Sequence, residues 1–120
     1  MKIKVELPIK VSTNSIYSGK KWKVRAQEKE MFLNEFWIHK GKIKDITEYP
    51  VDLEFEFYLT GRGFDSSNCS YRGKMLEDCL VAIGVLVDDT TKYVKSVKYE
   101  SIKNNGKIDY VIITIKKGEN

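Results

Sequence analysis

The chain has 120 residues, with 21 lysines and arginines against 17 aspartates and glutamates, for a net charge of +4. That length makes one domain able to bury about two-thirds of its unfolded surface, and 42% hydrophobic with 32% charged residues excludes a disordered chain. No apolar run approaches the ~20 residues of a membrane span, and so small a positive excess permits an anionic partner without requiring one.

Cysteine and histidine narrow the chemistry. Cys69 and Cys79 are the two cysteines and His39 the one histidine. Two cysteines ten apart form neither a disulfide framework nor a zinc pattern. Thiol and Ser-His-Asp catalysis are therefore poor fits, and any catalysis has to come from carboxylates, lysine and a hard metal ion.

In chain order, residues 2–8 alternate, with Ile3, Val5 and Leu7 on one side and Lys4 and Glu6 on the other. This is a half-buried strand ended by Pro8. An alternating start is not a secretory signal, so a host cytoplasm is the expected place of action. Residues 11–21 read as a polar loop. Residues 24–39 favour a helix through Ala26, Gln27, Glu28, Lys29, Glu30, Met31 and Leu33, with Gly41 as its stop. Met31, Phe32, Glu35, Phe36 and His39 fall near one face of it.

Residues 51–59 carry the cleanest period-two signal: Val51, Leu53, Phe55, Phe57 and Leu59 point one way, and Asp52, Glu54, Glu56 and Tyr58 the other. A loop from Gly61 to Asn68 follows, and Asn68 or Ser70 is placed to cap a second helix over 70–83. Met75, Leu76, Cys79, Leu80 and Ile83 form its apolar stripe, with Glu77 and Asp78 on the solvated side. Residues 93–101 and 108–116 are rich in strand formers around Asn104-Asn105-Gly106, a strong turn signal, and predict a terminal antiparallel hairpin. The expected fold is a single α/β (α+β) domain spanning 1–120, with two main helices, a mixed sheet and the order β-α-β-α-β-β.

Three constellations could carry chemistry. Asp88-Asp89 follows the apolar run Val85-Leu86-Val87 and is either a Mg²⁺-holding pair near a sheet end or an acidic turn. Lys74, near the start of the second helix, is either a phosphate partner or an ordinary exposed lysine. Lys20-Lys21-Trp22-Lys23-Val24-Arg25, behind Tyr17, is either a loop for phosphate contact and base stacking or a solvated charged face.

Read together and in order, these features resemble the RusA-type Holliday-junction resolvases, endodeoxyribonucleases of phages and prophages. The resemblance spans nearly the whole chain: a first strand closing on Pro8, a polar loop bearing Asn14, a basic segment and helix, then Lys74-Met75-Leu76-Glu77-Asp78-Cys79-Leu80 running through Gly84 to Val87-Asp88-Asp89. It implies a homodimeric, Mg²⁺-dependent (or Mn²⁺-dependent) nuclease that cuts branched DNA in recombination. Asp89 would be a metal ligand beside Asp88, and Lys74 the catalytic lysine. Lys20, Lys21, Lys23, Arg25 and Asn14 would meet the DNA.

The chain departs from the family where a D-x-D-N-x-x-K pattern is expected. Asn68 and Ser70 stand at the two aspartate positions and Tyr71 at the asparagine position. Neutral side chains bind a hard divalent ion more weakly than carboxylates do. Either Asp65 restores a carboxylate beside Asp88 and Asp89, or the chain keeps the fold and binds DNA without cutting it. A protein-interaction role on the same scaffold is a third expectation, since the acidic residues dilute the basic ones.

Overall fold

The computed structural model describes residues 1–7, 21–60 and 66–118, excepting the side chains of 21–25, 28, 39, 42 and 66–71. The element order is β1 (Lys2–Glu6), α1 (Lys21–His39), a 3-10 turn (Lys40–Lys42), β2 (Val51–Leu59), α2 (Ser66–Ala82), β3 (Val94–Lys103) and β4 (Tyr110–Lys117). The expected order β-α-β-α-β-β is thus observed, as a four-stranded mixed sheet with two helices.

The strands lie in the spatial order β1-β4-β2-β3. β4 is antiparallel to both β1 and β2, while β2 and β3 run parallel. A parallel pair needs a crossover, and α2 supplies it. Strict alternation gives β2 one wholly buried face, because Val51, Leu53, Phe55, Phe57 and Leu59 all point into the core. Their partners on β4 (Val111, Ile113, Ile115) and on β1 (Ile3, Val5) share that face. Phe32 and Phe36 of α1 and Met75, Leu76, Cys79, Leu80 and Ile83 of α2 close over it. Cys79 is a core residue; its thiol donates to the Lys29 carbonyl, and burial pushes its pKa up to about 11, away from nucleophilic use.

The expected terminal antiparallel hairpin does not form. β3 and β4 run in opposite directions but do not pair, because β2 lies between them. Asn104 does build a tight turn: its side chain accepts from Gly106 N–H at 3.0 Å and donates to Ile108 O at 2.8 Å. Asn104 N–H, however, donates to Leu59 O at 2.8 Å, and the Asp109 carboxylate accepts from both N–H and Oγ1 of Thr60 at 2.7 Å. These bonds carry the chain across the end of β2 and insert β4 on its far side. Composition explains the choice: the apolar Val111-Ile112-Ile113 run gains most from two neighbours, whereas Lys95, Ser96, Lys98, Glu100 and Lys103 suit an edge strand.

Both helices begin earlier than their sequences suggest. α1 includes Lys21, so Lys21, Lys23 and Arg25 stand on its first turns and not in a loop. The helix-forming character of Lys, Arg and Ala there outweighs the polar signal before it. On α1, Met31 is exposed beside the buried Phe32 and Phe36. α2 starts at Ser66, so Asn68 and Ser70 are helical positions and not caps, and Lys74 lies about two turns in.

Candidate active site

Two segments build the site. The first is α2, which seats deeply on β3: a Cβ on Gly73 would fall 1.9 Å from a ring carbon of Tyr99. That close approach fixes the next residue, Lys74, at the helix surface. The second is the turn-rich connection after Gly84, whose φ of +84° is a left-handed conformation suited to glycine at a helix end. Val85 and Leu86 plug into the core and Val87 is exposed. The segment is anchored from outside: Ile46 N–H donates to Val85 O at 2.9 Å and Val87 N–H to the Tyr49 hydroxyl at 3.1 Å. Tyr93 packs edge-on against Tyr49, ring centroids 5.1 Å apart. Asp88 and Asp89 are therefore presented by a braced loop.

The two segments meet through Lys74. Its ammonium donates to the Asp89 carboxylate, fifteen residues away, and lies 3.3 Å from Asp78 one helical turn on. Asp89 N–H donates to the Asp88 carboxylate at 2.8 Å, so Asp88 also acts as a turn residue. The hydrogen bond to Asp89 raises the lysine's pKa, and the same bond lowers that of Asp89. Both groups are charged throughout the neutral range.

Glu77 departs from expectation. It is not on a solvated side but buried, at 5% exposure. Burial raises its pKa; Lys74 opposes the rise, and Asp89 and Asp78 add to it. The Tyr99 phenol is likewise raised, by burial first and then by Glu77. Sequence reasoning misses Glu77 and Asp78 as members of the site, although their spacing of three and four from Lys74 is legible once the segment is read as a helix.

The other expected residues fall as follows. Asp65, Asn14 and Lys20 lie outside the described residues. Asn68 and Ser70 occupy α2 upstream of Lys74, and Lys21, Lys23 and Arg25 occupy α1. Among the described residues, no three acidic, histidine or cysteine side chains converge as a metal-binding group. The adjoining Asp88 and Asp89 offer hard oxygen donors, which is the chemistry Mg²⁺ requires. No helix among the described residues is long and apolar enough to cross a membrane. No known family model matches the chain, and no curated protein matches its sequence significantly.

Proposed function

We propose that this chain is a Mg²⁺-dependent, structure-selective endodeoxyribonuclease acting on branched DNA, a Holliday-junction resolvase of phage or prophage recombination working in the bacterial host cytoplasm. The observation that supports this reading is the meeting of Lys74 with Asp89, the two groups that the resemblance assigns to catalysis. Asp88 and Asp89, with Asp65, are the residues that would hold the ion. When bound, Mg²⁺ supplies a Lewis acid at a phosphoryl oxygen. Lys74, more than half exposed and protonated, brings positive charge to the phosphate oxygens as negative charge builds on them. Asp78, one turn further along, keeps that ammonium oriented when a phosphate competes with Asp89 for it. Lys20, Lys21, Lys23, Arg25 and Asn14 would contact the backbone of the arms.

The test is a labelled four-way junction incubated with and without Mg²⁺ or Mn²⁺, scored for binding and cutting together. Wild type is expected to cut only with the metal, and Asp89→Asn to bind without cutting. A wild type that never cuts branched DNA with either ion overturns the reading.

Asn68 and Ser70, neutral where two carboxylates are expected, favour a second reading: junction binding without cleavage. Neutralising Lys20, Lys21, Lys23 and Arg25 should then lower the salt slope of binding by about 0.9 for each phosphate that is no longer paired. Binding indifferent to salt would sink it.

A further inference from the structure

Tyr49 touches both ends of the acidic loop. Its hydroxyl accepts from Val87 N–H at 3.1 Å, and its ring meets that of Tyr93 edge-on, with centroids 5.1 Å apart. Asp88 and Asp89 lie between those two points, followed by Thr90, Thr91 and Lys92. The far half of the loop closes on itself, because Tyr93 N–H and Val94 N–H both donate to Thr90 O at 2.9 Å. The near half holds the two aspartates, and Val87 is its entry.

Val87 stands where the hold of α2 ends. Val85 N–H and Leu86 N–H still donate to Leu80 O, at 3.0 and 3.2 Å, and both side chains are buried. The Val87 side chain is 60% exposed, so core packing does not fix it. Its backbone is held by the Tyr49 hydroxyl instead. Tyr49 is itself set in register. Ile46 N–H donates to Val85 O and Val51 N–H to Tyr93 O, both at 2.9 Å, and Tyr49 packs half-buried against the core. Residues 46–51 thus form a strap along both arms of the loop, and Tyr49 reaches each arm.

We infer that Tyr49 is a positioning residue of the Asp88–Asp89 site: its hydroxyl, acting through Val87, sets where Asp89 meets Lys74. The inference rests on the metal-dependent reading above and adds to it a residue from the strap that leads into β2. The physical ground is tolerance. Asp89 lies two residues beyond Val87, and its N–H is tied to the Asp88 carboxylate at 2.8 Å. A shift of the Val87 backbone therefore carries both carboxylates with it. Misplacing a site group by ~1 Å can cost about 100-fold in rate. Partners that orient metal-holding groups from outside typically change metal affinity by about 10–100-fold. Tyr49→Phe removes the acceptor for Val87 N–H and keeps the ring that meets Tyr93, so it separates the hydrogen bond from the packing.

The test compares wild type, Tyr49→Phe and Tyr49→Ala, with circular dichroism to verify folding. Mn²⁺ affinity is measured without DNA, by electron paramagnetic resonance of the free ion. Four-way-junction affinity is measured without metal, and cutting in single turnover. Tyr49→Phe is expected to weaken Mn²⁺ binding and slow cutting, each about 10-fold, with junction affinity within about twofold of wild type. Tyr49→Ala should lose more of both. A folded Tyr49→Phe with wild-type Mn²⁺ affinity overturns the inference. So does an equal loss of metal and junction binding, which would mark a general loosening, or a Tyr49→Phe that does not fold. Should Tyr49→Ala fail to fold, Tyr49→Phe decides alone. A wild type that binds Mn²⁺ and never cuts overturns the nuclease reading only, and the Mn²⁺ affinities still decide for or against Tyr49. A wild type that takes up no Mn²⁺ overturns both.

Discussion

Gly73 lies directly against the ring of Tyr99, and any Cβ there would fall 1.9 Å from the ring's Cε1. This packing seats α2 on the edge strand β3 and sets the depth of the Lys74 backbone. Gly73→Ala adds helix propensity worth ~1 kcal/mol, yet overpacking costs about 1–3 kcal/mol. Net destabilisation is therefore expected in urea unfolding. In a Tyr99→Ala background the clash is gone, and the same substitution should become neutral or stabilising. Additive effects would disprove the coupling.

The Lys74–Asp89 pair should matter far more to function than to stability. Lys74 is 56% exposed, so solvent screening limits the pair to less than about 1 kcal/mol. Asp89's folded pKa is depressed by Lys74. Its contribution is present above the unfolded carboxylate value and is lost as pH falls through the folded value. The urea-midpoint gap between wild type and Asp89→Asn should accordingly be small at neutral pH and vanish in acid.

Glu77 should show the opposite dependence. Its folded pKa is raised, chiefly by burial, so the native state holds its proton more tightly than the unfolded chain does. Stability is then lost as pH rises from the unfolded carboxylate value through the folded one. Glu77→Gln removes that loss and should raise the denaturant midpoint relative to wild type increasingly as pH rises past the unfolded carboxylate value, with little effect in acid. Denaturant midpoints across the pH range measure it, and a destabilised variant at alkaline pH would refute the assignment.

Asp109 should be costly to remove. It is buried, and its carboxylate accepts two bonds from Thr60 as the chain crosses the end of β2. Asp109→Ala leaves both Thr60 donors without that acceptor and should destabilise by about 1–3 kcal/mol. Thr60→Ala, which removes one donor only, should cost less. Thermal or urea unfolding of the two variants gives the ranking.

Much of the scaffold is legible in the sequence. The alternation in 51–59 is the core strand β2, and the Met75-Leu76-Cys79-Leu80-Ile83 stripe is the buried side of α2. The helix starts are not legible, because Ser and Asn serve equally as caps and as first-turn residues, and only backbone bonding tells them apart. Asn104-Asn105-Gly106 is a true turn, but the hairpin inferred from it is not formed. A turn reverses direction without choosing the neighbour.

The sequence by itself determined the periodicities, the single α/β domain, the element order and the residues capable of chemistry, because local spacing dictates which side chains share a face. Only the tertiary structure decided which elements are neighbours. It placed β4 between β1 and β2, since the most apolar strand gains most from burial on both sides and the Asp109–Thr60 bonds hold the crossing. It also turned Glu77 inward and closed a fifteen-residue separation to join Lys74 to Asp89. The placement of Glu77 and Lys74 goes with the packing of α2 against β3 at Gly73, a meeting of distant segments that no local pattern encodes.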